Sequence, residues 1–243
     1  MKQDSQMFGT EKISKILWKM APPVMLAQLI QALYNIVDSF FVGRYSESGL
    51  TALSIIYPIQ LLMIAFAVGT GVGINTCMAH YLGLSEDEKA DEIGGIGTPL
   101  TLFMWMVFAV FCYFFMPAYA KMSTDSAEVI REVVTYGRIV CVFSFGLFLE
   151  SIWTKILQAN GDMKTPMIAQ IAGAITNIIL DPLLIFGMLG LPKMGIAGAA
   201  LGTLIARLFE AGMICGYLLL KDEKIGFRVK HLGMKTADLL GEY

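Results

Sequence analysis

Six long apolar runs divide this sequence, and they restrict the folds open to it more than any other feature. The runs cover residues 20–43, 52–82, 95–117, 133–157, 166–189 and 196–220. A helix of about 20 apolar residues crosses the hydrocarbon core of a bilayer. With 56% hydrophobic and only 16% charged residues, the chain is too apolar for an ordinary soluble domain. We therefore predict an all-α, polytopic membrane protein in which residues 1–220 form one bundle of six transmembrane helices.

Lysine and arginine are distributed unevenly around these runs. If the amino terminus lies in the cytoplasm, twelve of them fall in the flanks and loops on that side and four on the other. Cytoplasmic loops of membrane proteins carry an excess of these residues. The pattern predicts a multi-pass protein with both termini in the cytoplasm. Residues 221–243 turn polar, and we interpret them as a truncated cytoplasmic linker.

The first apolar run contains a polar stripe that ends in a carboxylate. Gln28, Gln31, Asn35 and Asp38 fall within an arc of about 80° on a helix that turns about 100° per residue. A charge at membrane depth costs about 2.5 to 3.5 kcal/mol on insertion scales, so it usually marks a pathway or an ion site. The first helix is therefore predicted to have one wet face.

A second stripe lies in the fifth run. Gln170, Asn177 and Asp181 fall within a still narrower arc of about 40°. Pro182 cannot donate a hydrogen bond to the carbonyl of Ile178. The freed carbonyl oxygen could bind a cation near Asp181, or the proline could simply kink the helix. One stripe alone could serve as interhelical hydrogen bonding, whereas two carboxylate-ended stripes favour a shared cavity.

Further charged residues occur inside the fourth and sixth runs. Arg207 and Glu210 are three residues apart, a spacing that lets them neutralise each other on one face of a helix. The alternative is a gate or a substrate contact. Arg138 and Glu150 are not stacked on their helix, so each needs a partner elsewhere or a position near the membrane interface.

Three motifs occur in order along the chain. Ala-Pro-Pro-Val-Met at residues 21–25 is followed by Gln31 and by Leu-Tyr-Asn-Ile-Val-Asp at 33–38. Leu-Gln-Ala-Asn-Gly-Asp-Met-Lys-Thr-Pro occupies residues 157–166, and Asn-Ile-Ile-Leu-Asp-Pro occupies 177–182. Together they resemble the first helix, the link between helices four and five, and the fifth helix of the multidrug and toxic compound extrusion (MATE) transporters, specifically their DinF-like prokaryotic branch.

The resemblance implies a twelve-helix transporter of two lobes, of which this chain supplies the amino-terminal one, in the prokaryotic cytoplasmic membrane. It implies a cation- or proton-coupling site at Asp38, Asn177 and Asp181, a set that could hold a monovalent cation. Pro23 and Pro182 are the expected hinges. We expect the remaining polar residues to line the cavity or contact the substrate: Gln31, Gln28, Asn35, Tyr34, Gln170 and Thr203.

The function implied is secondary active antiport, in which organic cations or drugs leave the cell in exchange for H⁺ or Na⁺. Neither an enzymatic activity nor an organic cofactor is expected. The expected partners are the lipid bilayer, small organic substrates, and a second six-helix lobe or another copy of this chain, with no nucleic acid.

Three alternatives stay open at this stage. The chain could be a non-transporting fragment or scaffold. It could instead be a lipid-linked saccharide flippase of the same superfamily, for which a cavity rich in Arg and Lys would match a pyrophosphate. An intramembrane aspartyl protease also uses paired acids, but the only Gly-Asp pair, at 161–162, lies in a loop and lacks the Gly-x-Gly-Asp pattern.

Overall fold

The computed structural model describes residues 12–220, and nearly all of them are helical. No strand occurs in this range, so the predicted all-α class is confirmed. The linker predicted at 221–243 lies outside the described residues. The helices are α1 Ile13–Tyr45, α2 Glu47–Gly83, α3 Asp87–Ser123, α4 Ala127–Val142, α5 Phe145–Ala159, α6 Lys164–Phe186 and α7 Ile196–Leu220, with a 3₁₀ turn Met188–Gly190 before α7.

Five of these helices are each long and apolar enough to cross a membrane, and there are six candidate spans if the bent pair of α4 and α5 is counted as one. The prediction of one continuous helix over 133–157 was wrong, because α4 and α5 meet at an angle of 42°. At the break the hydroxyl of Ser144 donates to the carbonyl of Cys141 at 2.7 Å, and such back-bonding bends helices. The bend sets Gly146 against α7, where an added Cβ would lie 3.2 Å from the backbone nitrogen of Leu208.

Two pairs of glycines, Gly198 with Gly202 and Gly69 with Gly73, have the four-residue spacing that lets helices pack closely, and only the first pair lies at a contact between helices. An added Cβ at Gly198 would lie 2.6 Å from the carbonyl oxygen of Leu184 in α6, so α6 and α7 pack backbone to backbone there. Gly69 and Gly73 of α2 have no atom within 4 Å of such a Cβ. Their spacing alone would suggest helix packing, but these two glycines lie on an outer face of the bundle.

Helix α6 lies between α1 and α7, and α2 packs against α3, α4 and α5. The apolar core lies mainly between α2, α3 and α4, around Ile56, Met116 and Tyr136. Large apolar side chains, including Leu29 and Phe114, also cover the outer surface of the bundle. An apolar exterior is what a lipid-facing surface requires, because lipid tails and core side chains are equally apolar.

The loop between α5 and α6 is tied to the end of α7 by a carboxylate outside the spans. Asp162 accepts hydrogen bonds from the backbone N–H groups of Lys164 and Thr165, from the Thr165 hydroxyl at 2.7 Å, and from the Tyr217 hydroxyl at 2.8 Å. Partial burial opposes ionisation of Asp162, but the bonds from Thr165, Tyr217 and Lys164 outweigh it and lower the pKa of this carboxyl.

A pKa that folding lowers gives stabilisation that is present above the unfolded value, about 3.9 for Asp, and is lost as the pH falls through the folded value. We therefore expect Tyr217→Phe to reduce the free energy of unfolding by about 1 kcal/mol at pH 7 and by less as the pH falls below about 4. Thermal unfolding in detergent at both pH values measures this. Tyr113→Phe, on an exposed position of α3, is the control, and an equal loss for Tyr217→Phe at both pH values would contradict the assignment.

Candidate functional site

Three polar residues from two helices meet in the interior. Asp38 of α1 is 8% exposed, Asn177 of α6 is 1% exposed, and Asp181 of α6 is fully buried. The amide nitrogen of Asn177 donates to Asp181 Oδ1 at 3.1 Å, and the carboxyl group of Asp38 is a neighbour of that of Asp181. Ionisable groups from the first and fifth spans thus lie together, away from the lipid-facing surface.

Each of these residues keeps one oxygen without a hydrogen bond inside the described part of the chain. The atoms are Asp38 Oδ1, Asn177 Oδ1 and Asp181 Oδ2, and all three are buried. A buried polar atom left unsatisfied costs about 1 to 3 kcal/mol. Carboxylate and amide oxygens are hard acceptors, and hard cations bind oxygen ligands. The cluster can therefore hold a cation, or a proton that one carboxyl donates to another.

Helix α7 approaches this cluster at a glycine. A Cβ added at Gly202 would lie 2.6 Å from Asp181 Oδ1 and 3.7 Å from the amide nitrogen of Asn177. Thr203, the next residue of α7, lines a neighbouring cavity, as expected of a cavity-lining residue. The expected hinge prolines, Pro23 and Pro182, lie within α1 and α6, and both helices continue through them.

A cavity of about 370 Å³, called cavity A, lies beside the cluster and reaches Asp38. It occupies the region between the C-terminal half of α1, the N-terminal half of α2, the junction of α4 and α5, and α7. Its wall combines aromatic rings with polar groups and one carboxylate, and Asp181 lies behind Asp38 rather than on the wall. The predicted lining residues found here are Gln31, Tyr34, Asn35 and Thr203, joined by Tyr57, Gln60, Tyr136 and Arg207.

A second, smaller cavity of about 120 Å³, called cavity B, lies towards the N-terminal end of α1 and the loop between α5 and α6. Gln28 and Gln170 line cavity B, not cavity A, so the predicted lining residues divide between two cavities, and residues of both stripes meet in cavity B. The reason is depth along the helix. Gln28 and Asp38 lie on one face of α1, but ten residues of helix separate them by about 15 Å.

Two charged residues inside the spans, Arg207 and Glu150, also bind partners on other helices. Arg207 binds Glu210 at 2.9 Å, which confirms the predicted pair, and also donates to the Tyr34 hydroxyl at 2.7 Å. Glu150 of α5 accepts from Gln170 of α6 at 3.1 Å and from Thr154 at 3.0 Å. The position of Gln170 on a stripe was the only sequence signal for that bond.

Arg138, the other charge left without a partner by the sequence, lies on the outer side of α4. Its guanidinium lies over the ring of Tyr113 in α3, 4.5 Å from the ring centre, and its Nε donates to the Tyr113 carbonyl at 3.4 Å. Cation–π contacts of this kind stabilise by about 0.5 to 2 kcal/mol. Arg138 therefore joins α3 to α4 and takes no part in the cluster.

Comparison with known proteins adds a family match and a set of relatives. The MatE family model matches residues 23–183. The chain is 29% identical over 206 residues to the probable multidrug resistance protein YoeA of Bacillus subtilis (strain 168), covering 84% of this chain and 44% of that protein. It is 28% identical to the multidrug export protein MepA of Staphylococcus haemolyticus, covering 94% and 50%. A protein of Shewanella oneidensis named FAD transporter is also 28% identical, with 86% and 46% covered.

Solved structures share the fold. A MOP superfamily transporter from Pyrococcus furiosus superposes with a TM-score of 0.84 at 23% identity, covering 93% of this chain and 49% of the other. A MATE crystal structure in the bent conformation gives a TM-score of 0.86 at 24% identity, covering 97% and 52%. The chain thus spans about half the length of the relatives and structures it matches.

Proposed function

Because the chain belongs to the MatE family, we propose that it is the ion-coupled half of a secondary active antiporter that exports organic cations or drugs in exchange for H⁺ or Na⁺. The observation that carries the proposal is the cluster of three unsatisfied buried oxygens, on Asp38, Asn177 and Asp181. A transporter that exchanges an ion for a substrate needs such acceptors beside a cavity. Coupling then requires this ion and no organic cofactor.

The coupling ion enters through cavity A and meets Asp38 first, with Asp181 behind it. An ion held between them bridges α1 and α6, and it removes the repulsion of two carboxylates at close range. Binding therefore favours one packing of α1 against α6, and release favours another. Pro23 and Pro182 are the positions where we propose that these helices bend, since a proline lacks the N–H that stiffens a helix.

Cavity A favours a cationic, partly aromatic substrate. Tyr57, Tyr136 and Phe143 supply ring faces, which attract cations, and Asp38 supplies negative charge. The cationic side chain on this wall, Arg207, already binds Glu210 and Tyr34. An anionic substrate such as FAD, after which the Shewanella relative is named, or a saccharide pyrophosphate, would need further basic groups.

The half-length match also motivates a proposal about assembly. Relatives about twice as long support a working unit in which this six-span half pairs with a second six-helix lobe or with another copy of itself. An even number of spans lets two halves insert with the same orientation. We place the unit in the prokaryotic cytoplasmic membrane with both termini in the cytoplasm, as the distribution of Lys and Arg predicts.

The proposal is tested by ion-swap transport in proteoliposomes. We expect a gradient of H⁺ or of Na⁺, imposed separately at fixed membrane potential, to drive countertransport of an organic cation such as ethidium, and the effective gradient identifies the coupling ion. The chain is reconstituted alone and together with a second six-helix lobe. Transport with the second lobe only would mean that the half is insufficient alone. No gradient-driven transport in either preparation would favour the scaffold alternative and sink the proposal.

A further inference from the structure

Four helices line both cavity A and cavity B, and on each of them one residue borders both cavities. On α1 cavity A runs from Gln31 to Ser39 and cavity B from Pro23 to Gln31, so the two meet at Gln31. In the same way, one residue on each of α2, α5 and α7 lines both cavities. Within the described residues, four side chains therefore face both cavities and form what we call the shared wall: Gln31, Ile64, Leu147 and Arg207.

Arg207 is the charged member of the shared wall, and its guanidinium is held in place. One terminal nitrogen binds Glu210 Oε2 at 2.9 Å and the other donates to the Tyr34 hydroxyl at 2.7 Å. The side chain is almost completely buried. Charge-assisted hydrogen bonds of this kind are short and directional, so the positive charge has a defined position between the two cavities.

The carboxylate partner does not cancel this charge where ions would pass. Glu210 lines neither cavity A nor cavity B. It points instead towards α6, where an added Cβ at Gly173 would overlap its carboxyl group. Arg207 therefore lines both cavities, while the carboxylate of Glu210 is turned towards α6 and away from them. Other ionisable groups on the two cavities are Asp38 in A and Glu150 and Lys155 in B.

We infer that Arg207 is an electrostatic barrier that stops protons and other cations from leaking between cavity A and cavity B. Both cavities carry polar side chains on a largely apolar lining and are larger than one water molecule, so both can hold water next to those polar groups. A fixed positive charge in a narrow passage excludes protons and cations. This inference rests on the proposed function, because an antiporter wastes its gradient unless bound ions cross only when the protein changes conformation.

The test is a leak measurement on the full chain in liposomes with no substrate present. A K⁺ diffusion potential drives H⁺ inward, and a trapped pH-sensitive dye reports the flux. We expect the wild type and Arg207→Lys to be tight and Arg207→Gln to leak at least tenfold faster. Arg138→Gln, which removes an arginine from the outer side of α4, should stay tight. Arg207→Gln as tight as the wild type, or a wild type as leaky as Arg207→Gln, would overturn the barrier.

A paired variant separates a barrier from mere misfolding. In Arg207→Gln the buried Glu210 loses its partner, which by itself destabilises a protein. Arg207→Gln with Glu210→Gln removes both charges, so we expect its unfolding temperature to recover while its leak persists. Glu210→Gln alone keeps the positive charge and should remain tight. A double variant that regains both stability and tightness would show that Arg207 acts only structurally. Because no substrate is used, these results do not depend on whether antiport itself is observed.

Discussion

We expect Asp181→Asn and Asp38→Asn each to abolish gradient-driven efflux when the chain is expressed with a second lobe. The two carboxyl groups are neighbours in the interior, and each keeps a buried oxygen without a hydrogen bond. One charge moving down 100 mV supplies about 2.3 kcal/mol, enough for a substrate gradient of about 50-fold at perfect coupling. Without ion binding this energy is not available, so the substrate should only equilibrate. Ethidium accumulation in energised everted vesicles measures the ratio of inside to outside substrate concentration that each variant maintains.

The matched control for these variants is Asp125→Asn. Asp125 is exposed in the connection between α3 and α4, so the same chemical change there should leave efflux unchanged. Asn is nearly isosteric with Asp, and the amide nitrogen of Asn177 can still donate to the remaining side-chain oxygen. Expression and thermal unfolding should therefore resemble the wild type. Normal efflux by both Asp38→Asn and Asp181→Asn would remove the cluster from the coupling mechanism.

Gly202→Ala should impair coupling nearly as strongly, although it adds only one methyl group. Its Cβ would lie 2.6 Å from Asp181 Oδ1, a separation that real Cβ contacts essentially never show. Asp181 is fully buried, so it cannot rotate into solvent and has to move away from Asp38 or Asn177. We expect coupled efflux to fall at least tenfold, since displacement that weakens ion binding by only about 1.4 kcal/mol gives that factor.

Gly212→Ala on the same helix is the control for this glycine. No atom lies within 4 Å of an added Cβ at Gly212, and Ala is favoured over Gly inside a helix by about 1 kcal/mol. This variant should therefore unfold at a slightly higher temperature and transport normally. Because Gly202→Ala acts through Asp181, combining it with Asp181→Asn should cause no further loss. Full activity of Gly202→Ala would show that α7 has room to move away from the cluster.

The elements that the sequence predicted well share one cause. Within lipid a backbone must satisfy its own hydrogen bonds, so apolar length alone predicts spans, and helical spacing predicts which face of α1 is polar. The Arg207 and Glu210 pair was predictable for the same reason, since both lie on one helix three residues apart. The motif at residues 177–182 pointed to Asn177 and Asp181, and the structure brings both to Asp38.

Contacts between distant segments were not readable in the same way. Glu150 needed Gln170, twenty residues away on another helix, and the break at Ser144 depends on how α5 packs against α7. The assignment of Gln28 to the cavity of Asp38 failed because angular position on a helix says nothing of depth. The contact of Gly202 with Asp181 was not predicted, because packing between helices sets the rotation of α7.

The sequence by itself determined the helical class, the membrane setting and the identity of the two central carboxylates, because each depends on composition or on spacing within one segment. Only the tertiary structure decided that polar residues of α1 serve two separate cavities, and that a guanidinium from α7 stands between them while its carboxylate faces away. Those features arise where helices far apart in the chain meet, and the depth at which they meet depends on side-chain packing along their whole lengths.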